Sequence, residues 1–179
     1  DSPVPAKTQP HTSHQYLQEA LASPFAAGNM RLRIEPLYQA TPPDSKTKRR
    51  GAVLQALLQV EGSDLNFLPG TNGKAKLTYS VLVAVFSQDG NPLGSGEHTY
   101  SIDVTPEEEA RLKASGLHIS SDVPLQMAGP YQIRAAVRDE NSGSLGSAYS
   151  FVDVPDFNTP QLALSSIELS IAKSSSNSD

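Results

Sequence analysis

Apolar residues first recur at helical spacing, between residues 14 and 22. Tyr16, Leu17, Ala20 and Leu21 fall on one face, and Pro24 ends the run, which predicts a two-turn helix over 14–22 lying against the rest of the chain. From Met30 the period drops to two: Leu32 and Ile34 alternate with Arg31 and Arg33, and Pro36 marks that strand as an edge or a bend. Residues 52–61 fit two patterns. Leu54, Ala56, Leu58 and Val60 alternate as in a strand, whereas Val53, Leu54, Leu57 and Leu58 also suit a helix; the neighbouring strands favour a strand. A short strand over 64–68 and a PGTNG turn come next. The most apolar strand, KLTYSVLVAVF (76–86), lacks alternation in its second half and so predicts a central strand covered on both faces.

After the turn at Asp89, Gly90, Asn91 and Pro92, residues 97–104 alternate, with His98, Tyr100, Ile102 and Val104 on one face. Thr105, Pro106 and Glu108 then supply an N-cap, a proline at the first helical position and a capping-box glutamate, and Gly116 stands where the helix ends. This predicts a crossover helix over 106–115. Alternation resumes over 117–123 and 131–139, where Tyr131, Ile133, Ala135 and Val137 face inward and Gln132, Arg134 and Arg138 outward. The DENSGS loop (139–144) joins that strand to a partner over 145–154, and a last strand is expected over 162–171. The sum is an all-β chain: an immunoglobulin- or fibronectin-like β-sandwich of about 7–9 strands, with a short N-terminal helix and one short crossover helix. Tyr131, after a Gly-Pro turn, is placed like the tyrosine corner of such sandwiches.

Composition agrees. Fourteen prolines and 12 glycines among 179 residues point to many turns, and hydrophobic residues are 37% of the chain. Residues 1–13 read as a polar, proline-rich linker, 14–172 as one sandwich domain, and 173–179 as a disordered tail. The net charge of −5 gives no global basic field for nucleic acid or anionic lipid. With no cysteine, disulfides, thiolate metal sites and cysteine nucleophiles are excluded. No stretch reaches the length needed to span a bilayer as a helix, and a start at Asp1 suggests a processed or excised fragment.

Four segments together resemble a known family: LQEALASPF (17–25), GAVLQALLQVEGSDLNF (51–67), AGPYQIRAAVRDENSGSLGSAYSFVDVPD (128–156) and LALSSIEL (162–169). They are similar to the region downstream of the A domain in the von Willebrand factor A-related proteins of acidobacteria. The resemblance implies an extracytoplasmic (periplasmic or secreted) bacterial protein with an A domain first and β-rich domains behind it. The Asp-x-Ser-x-Ser metal cluster of an A domain is absent here, so no metal-binding or adhesion residue carries over.

Candidate chemistry is sparse. His11 and His14 are three residues apart beside a linker, without a third ligand nearby. His118, Ser120 and Asp122 offer hydrolase residue types, but alternation sets them side by side on one strand face, with no buried orienting acid and no Gly-x-Ser-x-Gly elbow. Residues 107–109 are acidic where a helix N-terminus favours acids for stability alone. The turns at Asp89 and at Asp139, Glu140 and Asn141 lack calcium-loop spacing. Lys46, Lys48, Arg49 and Arg50 form one basic cluster, read as a solvated loop, and no Gly-rich phosphate loop is present. No catalytic, cofactor-binding or metal residue is assigned, and no cofactor. The expectation is a non-catalytic accessory or interaction domain of an exported multidomain protein. Its partner would be the neighbouring A domain or an envelope protein, without nucleic acid or membrane insertion. The alternative is a ligand-binding module for glycan or peptide. With no tryptophan and 11 Phe plus Tyr, little aromatic surface remains for one once a core is filled.

Overall fold

Thr12 opens the first helix through a device the sequence reading passed over. Its hydroxyl accepts the Gln15 N–H while the Gln15 carboxamide accepts the Thr12 N–H, a complete capping box that starts α1 at Ser13–Ala22. The computed structural model describes residues 11–159 and 163–167. The rest of the expected linker and the expected tail lie outside them.

Among the described residues eight strands follow: β1 (Leu32–Ala40), β2 (Ala52–Val60), β3 (Leu68–Pro69), β4 (Ala75–Ser87), β5 (Pro92–Val104), β6 (Leu117–Leu125), β7 (Gly129–Asp139) and β8 (Leu145–Val154). All named pairings are antiparallel. One sheet has the order β1-β2-β6. In the other, β4 pairs β5 along one edge and β7 along the other, β8 lies beyond β7, and the two-residue β3 pairs Ala75 and Lys76 ahead of β7.

The two sheets face each other over one core. Ala52, Leu54, Ala56, Leu58 and Val60 point inward from β2, opposite Leu77, Val81, Val83 and Val85 of β4 and Ile133, Ala135 and Val137 of β7. The ambiguous segment 52–61 is thus a strand, central in its sheet. Its even-numbered side chains fill the core and Leu57 faces the other way, against Ser120 of β6. β1 is an edge strand, where Pro36 costs the ladder least.

A second, smaller cluster explains why β4 is apolar on both faces. α1 lies on the outside of the five-stranded sheet and buries Leu17 and Ala20 against Leu82 of β4 and Ala136 of β7. Arg134 and Arg138 take the outward face, as expected, and there they meet the helix rather than open solvent. Arg134 donates to the Leu21 carbonyl at 3.1 Å, and Arg138 donates to Ser13 Oγ and pairs with Glu140, so both tie the helix down. Ser13 Oγ also donates to Glu140 Oε2 at 2.7 Å.

The crossover helix forms as expected. α2 (Pro106–Ser115) leads from β5 in one sheet to β6 in the other, with its Thr105–Glu108 capping box complete. Gly116 ends it at φ +80°, where a Cβ would stand 2.4 Å from the Val60 carbonyl oxygen, so both conformation and space call for glycine.

Three segments depart from expectation. The strand read at 64–68 is instead a 3-10 turn at Gly62–Asp64 followed by extended chain reaching β3. Asp64 turns away from a ladder because its carboxylate accepts the Arg31 backbone N–H and guanidinium. β5 starts at Pro92, five residues before the expected 97. Within the strand expected at 162–171, the described residues 163–167 hold no ladder. There Ser165 and Ser166 hydroxyls accept the Ala40 and Tyr38 N–H groups of the β1 edge, and Ser166 N–H donates to the Tyr38 carbonyl.

Candidate functional site

The structure separates most of the candidate residues. His14 pairs with Glu97 of β5, Nδ1 to Oε2 at 2.5 Å, while His11 lies 3.6 Å from Glu19 and edge-on to Tyr16. His98 neighbours Tyr100, which stacks on Tyr79. His118, Ser120 and Asp122 stand in a row on the exposed face of β6, and Asp122 accepts a hydrogen bond from Gln55. Among the described residues no three His, Asp or Glu side chains are grouped as metal ligands.

The acidic candidates are engaged with backbone. Glu108 is held below the ordinary carboxylate range by the Thr105 N–H and hydroxyl. Asp139 is wholly buried. Its Oδ2 accepts the Asn66 N–H, and its Oδ1 accepts those of Asn141 and Ser142, so one carboxylate organises the β7–β8 turn and the loop before β3.

Two surfaces stand out. The first is the outer face of β4, β7 and β8 beyond the end of α1. Strand register sets Leu82, Ala136 and Ser147 in one row beneath the helix; the next rows are Ala84, Arg134, Tyr149 and then Phe86, Gln132, Phe151. The last turn of α1 reaches Arg134 through the Leu21 carbonyl and leaves Tyr149 and Phe151 exposed. Phe151 is 70% and Tyr149 55% exposed, their rings edge to face at 6.1 Å, and Phe25, just past α1, is 80% exposed. The chain around Phe25 is anchored, because Ala27 N–H donates to Ser147 Oγ and Gly28 bridges Gly146. A depression of about 480 Å³ runs alongside, lined by Leu21, Leu82, Ala84, Phe86, Pro92 and Arg134, and the Arg134 guanidinium lies 5.1 Å above the Phe86 ring. The sequence hid this face because its members come from four segments and each is unremarkable alone.

The second surface is the pole where β2 begins and β6 and β8 end. Two depressions, of about 250 and about 510 Å³, share Arg49, Arg50, Gly51, Ala52 and Gln126 and form one trough between loop 41–51, residues 126–128 and residues 155–158. The basic cluster is exposed, as expected, but the loop carrying it is built. Asp44 accepts the Lys46 and Thr47 N–H groups and the Thr47 hydroxyl, which lowers its pKa. Asn158 holds both backbone groups of Arg50, accepting its N–H and donating to its carbonyl. Asp156 is lowered chiefly by the Asn158 N–H and side chain, with Arg49 adding an attraction.

No protein-family model matches the chain, and no curated protein does. Among solved structures, a calcium binding mutant of Bacteroides uniformis beta-glucuronidase 2 is 14% identical over 69% of this chain, with a TM-score of 0.42. A second Bacteroides uniformis beta-glucuronidase gives 14% and 0.41. The chain spans 13% of the length of each. A Bordetella pertussis protein assigned as ApaA is 12% identical over 70% of this chain and 95% of its own, with a TM-score of 0.40.

Proposed function

We propose that this chain is a non-catalytic accessory domain of an exported multidomain protein related to the von Willebrand factor A family, and that it docks a neighbouring domain through the aromatic outer face beside α1. The observation that carries the reading is the set of exposed Phe25, Tyr149 and Phe151 rings on anchored backbone. Isolated exposed apolar residues are ordinary, whereas a contiguous aromatic patch on a rigid sheet marks an interaction surface. The occupant we assign is the A domain that the family resemblance sets on the N-terminal side. The chain enters this same face through α1, so a domain tethered there works at high effective concentration and needs little intrinsic affinity. The extracytoplasmic setting rests on the resemblance alone.

We further read the sandwich as fibronectin-like. Two features support this: the strand following β4 stays in its sheet as β5, and Tyr131, at the start of β7, donates from its hydroxyl to the Met127 carbonyl at 2.5 Å in the manner of a tyrosine corner. The alternative, a binding module for glycan or peptide, is favoured by the trough at the opposite end of β8 from the Asp139 turn.

The test compares amide and aromatic spectra of this domain alone with those of the same domain in the longer chain carrying its A domain. Shifts concentrated at Phe25, Tyr149 and Phe151, reverting when all three are changed to serine, support docking. Unchanged spectra, or shifts confined to other faces, overturn it.

A further inference from the structure

We propose that the trough at the 41–51 pole binds an acidic saccharide, its carboxylate or sulfate held between Arg49 and Arg50. This site is independent of the outer face and does not rest on the docking proposal.

Positive charge concentrates at this pole. Among the described residues neither Arg49 nor Arg50 is in an ion pair, whereas Arg31, Lys113 and Arg138 each are. Lys46 and Lys48 extend the same loop, so four cations stand against two nearby carboxylates, Asp44 and Asp156, in a chain that is acidic as a whole. Both carboxylates are already occupied by hydrogen bonds from their own turns. Guanidinium groups are suited to carboxylate and sulfate oxygens because their planar fork donates two parallel hydrogen bonds.

The bonds from Asn158, Asp44 and Thr41 fix the backbone under both arginines; Thr41 Oγ1 accepts the Gly51 N–H, and the Arg49 carbonyl accepts the Asp44 N–H. A ligand therefore meets a standing loop, which lowers the ordering cost of binding.

The same bonds decide between ligand classes. Peptides that add to an edge need free backbone groups, and here the N–H groups of Arg49, Arg50 and Gly51 are all engaged. What the trough offers instead is side chains: Arg49, Arg50 and Gln126 line both depressions, and Met127 and Phe157 add apolar surface to the smaller one. Met127 is 72% exposed. Cationic and amide side chains beside a small apolar surface match a sugar ring bearing an acid group.

The experiment titrates the labelled domain with tetragalacturonate, a heparin tetrasaccharide, neutral cellotetraose and inorganic sulfate, following amide shifts. We expect saturable shifts at 49–51 and 126–128 with at least one acidic oligosaccharide, weakened about tenfold or more when Arg49→Ala and Arg50→Ala are combined. Galacturonate against heparin distinguishes carboxylate from sulfate. Lys74→Ala, which removes a charge at the other pole, should leave binding unchanged. The double variant alters only exposed side chains, and its thermal midpoint checks its fold. The proposal is overturned if neither acidic oligosaccharide saturates, if cellotetraose binds equally, if inorganic sulfate alone binds, or if Lys74→Ala weakens binding as much as the arginine pair does.

Discussion

At the scale of single residues, hydrogen bonds made by buried or turned-in side chains govern this chain, and few of them were legible in the sequence. Asp139 sits in a run that reads as a plain hairpin turn, yet it is fully buried and serves three amide donors drawn from two loops. Alternation marks which face a residue takes; it does not reveal that Asn66, distant in sequence, will present its N–H there. Asp139→Ala should cost about 2–4 kcal/mol in urea unfolding, since the buried donors lose their acceptor, and Asp139→Asn should recover part of that. Tyr131, by contrast, was readable from its Gly-Pro turn; burial raises its pKa, and among the described residues its hydroxyl has one partner, the Met127 carbonyl. Tyr131→Phe should therefore cost only about 0.5–1 kcal/mol, water replacing the hydroxyl at an exposed turn. The Asp64 pKa is lowered chiefly by the Arg31 side chain and then by its backbone N–H. A depressed carboxylate adds stability that is fully present above its unfolded pKa, near 3.9, and is lost as pH falls through the lower folded value. Midpoints measured from pH 6 down to pH 2 should thus fall less steeply below pH 4 in Arg31→Ala than in the parent chain; equal slopes would remove Asp64 from the acid response.

At the scale of elements the sequence was most informative where several local signals agreed. The Thr105–Glu108 box, Pro106 and Gly116 agree with one another, and α2 follows them. Residues 52–61 were ambiguous because leucine serves helix and strand equally; the decision came from pairing on both sides, with β1 and with β6, which no local window contains. The two-sided burial of β4 was visible as an apolar run, but its cause, α1, was not, because a ten-residue amphipathic stretch does not announce which sheet it covers. That dependence is open to test. Leu17 is wholly buried and sits in the cluster that joins the helix to the sheet. Leu17→Ala should cost about 2–4 kcal/mol, and hydrogen exchange should then show α1 opening while β2 and β6 keep their protection. Loss of protection throughout would mean that the helix and the sandwich unfold as one unit.

At the scale of the whole molecule, the two proposed surfaces stand on different supports, and that separation has a consequence. The core between the sheets contains no residue of α1, which packs instead into a cluster of its own on the outer face. The pole trough draws its walls from 41–51, 126–128 and 155–158, all joined to strands of that central core. A chain lacking residues 1–23 should still unfold cooperatively, because the forces closing the sandwich are retained. Losing Leu17 and Ala20 from the outer cluster removes about 2–4 kcal/mol, which at about 2–4 °C per kcal/mol for a domain of this size lowers the midpoint by about 5–15 °C. Leu82 and Ala136, then uncovered, extend the aromatic face into a larger apolar surface, so concentration-dependent self-association should appear by sedimentation. Amide shifts of Arg49, Arg50 and Gly51 should meanwhile stay in place, since Asn158, Thr41 and Asp44 hold that loop without help from the helix. A truncated chain with no cooperative transition would show that α1 belongs to the folding nucleus; one that folds but loses the 41–51 shifts would show that the two surfaces are coupled through β7 and β8.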